Sequence, residues 1–197
     1  MSSTNRGGRR SAADNYPTPA WCVHRLLEGV NLPGGTWLDP CAGEGAIIRA
    51  VNELRHDVDW RAVELRRSCK RPLERLVGKA NVRIGDFLVT NLEGGKADVS
   101  ITNTPFSLSL EIIERCFQFA NIVIVLEKLN FLGSRERHEF LSSNMPDVYV
   151  IPNRPSFTND RKTDSINYGW FVWRSRKRRS SGKLKFLSDT PHEIRNR

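Results

Sequence analysis

Thr36-Trp37-Leu38-Asp39-Pro40-Cys41-Ala42-Gly43-Glu44-Gly45-Ala46 decides how the rest of this chain is arranged. It has the form of a buried strand end, a glycine-rich turn and the first turn of a helix. Gly43 and Gly45 stand where the backbone must bend sharply and where a Cβ would obstruct a ligand's approach. Residues 46–51 continue as a helix whose free N–H groups point back at the turn. Strand, turn and helix in that order form the corner at which open α/β sheets bind nucleotide-like ligands. A short glycine pattern alone also suits an ordinary tight turn; features further along the chain separate the two.

Working outward, residues 20–29 have a helical apolar stripe in Trp21, Val23, Leu26 and Leu27, with Gly29 near its end. Strands are expected at 37–39, 59–64, 81–87, 97–102, 121–126, 148–151 and 168–173, of which 121–126 is the most apolar and the best candidate for a central strand. Helices are expected at 46–54, 68–76, 108–120 and 135–142, and residues 154–166 form a loop too long to be mere connection. Strand and helix alternate through most of the chain, which predicts an α/β fold with a mainly parallel sheet and helices on both faces. Asp39, Glu64, Asp86 and Asn103 fall at the carboxyl ends of successive strands, the edge outside which such sheets bind ligands. Glu64 lies 19 residues after Gly45, close to the offset of about 20 at which an acid reaches ribose hydroxyls.

The chain has 197 residues, 39% of them hydrophobic, enough for one domain with a proper core. That domain is expected at 16–173, between an N-terminal arm at 1–15 and a basic tail at 174–197. No apolar run is long enough for a membrane span and the first residues are not signal-like, which points to the cytoplasm. Cys22, Cys41, Cys69 and Cys116 are scattered, without metal-ligand spacing or a disulfide framework. His24, His56, His138 and His192 have no metal spacing either, and Ser107 and Ser109 have no paired base for nucleophilic work. The net charge of +9 comes entirely from the two ends, with +2 in 1–15 and +7 in 174–197. A neutral body with basic ends fits a partner such as nucleic acid, gripped through Arg176, Lys177, Arg178 and Arg179, as well as it fits solubilising tails.

Together, Tyr16-Pro17-Thr18-Pro19, the Asp39–Gly45 turn, Glu64, Asp86-Phe87 and Asn103-Thr104-Pro105-Phe106 resemble the class I S-adenosylmethionine-dependent methyltransferases. Arg154-Pro155-Ser156-Phe157 and Thr163-Asp164-Ser165 through Trp173 add a likeness to small phage-type DNA adenine-N(6) methyltransferases. The resemblance implies a single Rossmann-like domain on a seven-stranded sheet. It implies S-adenosylmethionine as cofactor, with its methionine end at Asp39, Pro40, Cys41, Ala42, Gly43 and Gly45 and closed over by Thr18 and Pro19. Glu64 would then hold the ribose, Asp86 the cofactor's adenine amine, and Phe87 would pack on the ring. Trp21 is expected in the core.

The resemblance further implies methylation of the adenine 6-amino group in DNA by Asn103, Thr104, Pro105 and Phe106. The Asn103 side-chain oxygen and the Thr104 carbonyl would accept the amine's hydrogens, Pro105 would stiffen the turn, and Phe106 would stack the extruded or single-stranded base. RNA and protein-amide methyltransferases use similar tetrapeptides, and a silent nucleic-acid-binding homologue would keep the same fold. Two departures stand out. The family's tetrapeptide carries proline where this chain has Thr104, and no sizeable target-recognition region is evident beyond residues 154–167 and the tail, so sequence specificity is expected to be short or relaxed.

Overall fold

The structure, a computed structural model, describes residues 17–157, 166–174 and 182–195. Its elements run α1 (Ala20–Gly29), β1 (Gly35–Asp39), α2 (Ala46–Asn52), β2 (Val58–Glu64), α3 (Lys70–Val77), β3 (Val82–Ile84), β4 (Ala97–Thr102), α4 (Ser109–Phe119) and β5 (Ala120–Lys128). Then follow α5 (His138–Ser143), β6 (Asp147–Val150), β7 (Tyr168–Arg174), β8 (Leu184–Phe186) and α6 (His192–Arg195).

The strands form one sheet in the order β3-β2-β1-β4-β5-β7-β6-β8. Strands β1 to β5 pair in parallel, β7 runs antiparallel between β5 and β6, and β8 lies parallel to β6. The sheet starts at β1, steps outward to β3, and returns to place β4 on the other side of β1. That reversal leaves a crevice at the carboxyl ends of β1 and β4.

Period-two alternation explains why both faces are covered. Trp37, Ile124, Leu126, Trp170 and Val172 point to one face, where they pack with Trp21, Leu26, Ile48 and Leu73 from α1, α2 and α3. Their neighbours Leu38, Val123, Val125, Phe171 and Trp173 point to the other, against Ile112, Ile113 and Cys116 of α4 and Leu141 of α5. Each large side chain removed from water this way contributes roughly 1.5–3 kcal/mol, so a one-residue slip of a central strand would turn a whole set of them the wrong way.

Among the described residues the sheet has eight strands where seven were expected. Leu184–Phe186, within the expected tail, pairs with Val148–Val150. Leu187 beyond it is buried against Gly29, and Thr190 accepts a hydrogen bond from Arg25 Nε at 2.9 Å. The strand expected over 81–87 stops at Ile84 because the next residues turn: Asp86 Oδ1 accepts the Leu88 N–H at 2.9 Å and its carbonyl accepts the Thr90 hydroxyl at 2.6 Å. The 68–76 helix opens as a 3-10 turn over Arg67–Cys69 before α3, whose third residue is Pro72, tolerated in a first turn where its missing N–H has no intrahelical partner.

Candidate active site

At the end of β1, Asp39 is buried at 1% exposure, and its Oδ1 accepts the Cys41 N–H at 3.1 Å. Burial is the main cause that pushes its carboxyl up to about 7, and the nearby Glu64 carboxylate adds to the shift. Pro40 and Ala42 are buried and Cys41 is half-buried, and the Ala42 N–H bonds the Val63 carbonyl at 2.9 Å, which ties the turn to β2. Gly43 and Gly45 both take positive φ, 57° and 85°. At Gly45 a Cβ would lie 2.5 Å from Leu76 Cδ2, so this glycine serves the seating of α3 as well as the bend of the turn.

Glu64 ends β2 as expected, but its carboxylate is held by the protein. Oε2 accepts the Gly43 N–H at 2.6 Å, while Oε1 accepts the Arg66 N–H at 2.9 Å and pairs with Arg66 Nε at 2.8 Å. The acid therefore clasps the glycine turn of the neighbouring strand. Asp86 is exposed at the same edge. Phe87 is 4% exposed, edge-on to Phe119 and with the Arg115 guanidinium over its ring, packed with the core on the α4 face. Thr18 is buried and Pro19 half-buried at the start of α1, and Trp21 is core.

Asn103, half-buried, leads out of β4, the neighbour of β1. Thr104 is 4% exposed, and its hydroxyl lies 2.7 Å from Ser109 Oγ and 3.2 Å from Glu127 Oε1. Ser109 in turn donates to the same Glu127 oxygen, and Glu127 Oε2 accepts the Lys128 N–H at 3.1 Å. Burial raises the Glu127 carboxyl above its ordinary range, against the pull of these donors. Phe106 is half-buried, with Lys128 Nζ 4.2 Å from its ring centre and Tyr168 tilted beside it at 6.0 Å. Phe157 meets the same tyrosine edge-on at 5.1 Å, so Phe106 and Phe157 share Tyr168 as a ring neighbour.

Asp39, the glycine turn, Glu64, Asp86 and the Asn103–Phe106 turn are thus gathered on one edge of the sheet. Glu127 and Lys128 join them from β5. Sequence reasoning misses this pair, because the apolar run that marks the strand ends at Leu126. Arg176, Lys177, Arg178 and Arg179 lie outside the described residues, as do Tyr16 and Thr163-Asp164-Ser165. Away from this edge, a concavity of about 110 Å³ between α1 and β8 is lined by Arg25, Tyr149 and Lys185 among others.

No protein-family model and no curated protein matches the chain. Solved structures do. The type I restriction-modification system methyltransferase subunit from Streptococcus thermophilus superimposes with a TM-score of 0.63 at 16% identity, covering 91% of this chain and 51% of that one. A Listeria monocytogenes protein provisionally assigned as a class I S-adenosylmethionine-dependent methyltransferase gives 0.58 at 17% identity, covering 89% and 65%. The 23S rRNA methyltransferase ErmE gives 0.58 at 15% identity, covering 86% and 71%. At these identities the likeness is one of architecture, and the chain therefore has the fold of the class I S-adenosylmethionine-dependent methyltransferases.

Proposed function

We propose that the protein transfers a methyl group from S-adenosylmethionine to the 6-amino group of adenine in DNA. The observation that carries this is the placing of the Asn103–Phe106 turn beside the glycine turn of β1, at the point where the strand order reverses. The residues fit the cofactor. The Asp39 carboxylate suits its amino group, the positive-φ glycines leave the turn without side chains, and Asp86 is exposed at the edge. Glu64 fits the ribose once its hold on the Gly43 N–H and Arg66 is exchanged for hydroxyls.

When bound, the cofactor supplies an electrophilic methyl carbon on sulfur. The chain's own part is to hold the amine. A nitrogen conjugated with a purine ring is a poor nucleophile, and two acceptors aimed at its hydrogens, the Asn103 side-chain oxygen and the Thr104 carbonyl, localise its lone pair. The amine so held would take the methyl carbon, its new N–C bond replacing the C–S bond, and would lose one proton to water. In-line positioning carries much of the barrier reduction. Phe106 offers its ring to the base, which shares that ring with Lys128 or displaces it. Arg154, whose Nε donates to Asn167 Oδ1 at 3.3 Å, is the residue of the 154–167 stretch that we assign to the target strand.

The test is transfer from radiolabelled S-adenosylmethionine with DNA, RNA and protein offered together, followed by nucleoside analysis. Label as N(6)-methyladenine in DNA is expected, and Asn103→Ala is expected to lower transfer at least a hundredfold with cofactor binding kept. Label in RNA or protein would move the substrate, and equal transfer by the alanine variant would overturn the mechanism.

A further inference from the structure

The site contains a buried carboxylate that the proposed chemistry does not use. Glu127 is 2% exposed near the end of β5, directly after the apolar run of residues 122–126. An apolar residue there would continue the core without the desolvation that a buried carboxylate requires. Its partners are specific. Ser109, the first residue of α4, donates to Oε1, and the Thr104 hydroxyl bonds Ser109 at 2.7 Å and reaches the same oxygen at 3.2 Å. Both partners are nearly fully buried, at 2% and 4%. The three side chains thus pin the residue after Asn103 between the end of β5 and the start of α4.

We propose that Glu127 is a positioning residue: with Ser109 it fixes the Thr104 hydroxyl, and thereby the Asn103 oxygen and the Thr104 carbonyl that hold the amine. Thr104 is where the resembling family has proline, whose ring restricts the backbone covalently. Threonine leaves φ free, and here three side chains supply the restraint instead. The substitution at Thr104 and the carboxylate at Glu127 are two halves of one device. It explains why a polar residue is tolerated beneath the turn and why an acid interrupts β5. The inference rests on the proposed methyl transfer.

The experiment measures steady-state transfer, cofactor affinity and amide hydrogen exchange in the full chain. Thr104→Val and Glu127→Gln are each expected to lower kcat about tenfold or more, since small displacements of reacting groups are costly in rate, while cofactor affinity changes less than twofold. The double variant is expected to be no slower than the slower single one, as befits residues acting through one network. Adding Thr104→Pro to Glu127→Gln is expected to restore most of the rate. Exchange at the Thr104 and Phe106 amides is expected to quicken in Glu127→Gln. Additive losses, no rescue by proline, or equal loss of cofactor affinity would each overturn the proposal. Absence of transfer by the unaltered protein, with its Thr104 amide still slowed relative to Glu127→Gln, would instead reject the assigned reaction and keep the clamp.

Discussion

Asp39 shows how much one residue's surroundings decide. Its carboxyl, ordinarily near 3.8, is held up to about 7 chiefly by burial. Between those values the folded protein keeps a proton that the unfolded chain has released, so stability falls as pH rises through the window and is level above it. A cationic amino group from the cofactor favours the ionised form and draws the proton off. Affinity for S-adenosylmethionine is therefore expected to tighten about fivefold from pH 6 to pH 7, and Asp39→Asn should bind weakly with no such slope; calorimetric titration at both pH values would check this. The strand-end acids are legible because a polar residue that closes an apolar run is conspicuous. Phe87 is less legible for the opposite reason: an aromatic after an acid looks alike whether it faces ligand or core, and its packing on Phe119 and beneath Arg115 is seen only in the fold.

At the scale of elements, the turn after β1 answers to the helix that packs on it. Gly45 is left-handed at φ 85°, and a Cβ there meets Leu76 of α3. Gly45→Ala is expected to destabilise the fold by about 1–3 kcal/mol, read by urea unfolding. Adding Leu76→Ala should relieve the steric share and leave the backbone strain, so an unchanged or larger loss would show that the crowding has another source. Long elements are legible: α1 and β4 occupy the residues that their apolar spacing predicts. β8 is not, because three residues set among lysines and arginines carry too little alternation to register, and pairing with β6 alone makes them a strand. Glu127 escapes notice in a similar way. Its meaning depends on Ser109 and Thr104, which sequence places 18 and 23 residues away.

For the molecule as a whole, the basic C-terminal region divides in two. Residues 182–195 are part of the architecture: Leu187 is buried and Thr190 is bonded to Arg25 and Asn153. Removing everything past β7 would therefore strip the sheet as well as the charge. The sharper test replaces Arg176, Lys177, Arg178 and Arg179 with glutamine. DNA affinity is expected to weaken and its logarithmic salt dependence to flatten by up to about 3–4, near 0.9 for each phosphate that is no longer neutralised, as measured by fluorescence anisotropy over a salt series. An unchanged slope would assign the binding surface elsewhere.

The union of α1 with the end of the chain has a consequence in time. The Trp170 indole donates to the Cys22 carbonyl at 2.9 Å, and Leu187 fits against Gly29. A ribosome adding roughly 5–20 residues per second needs on the order of 10–30 s after making the first helix to deliver the segment that completes its seat. During that interval α1 has α2 for company but not its final cover. The newborn chain waits on the segment around Leu187, and a message cut short before it would release a protein whose helix α1 is left exposed.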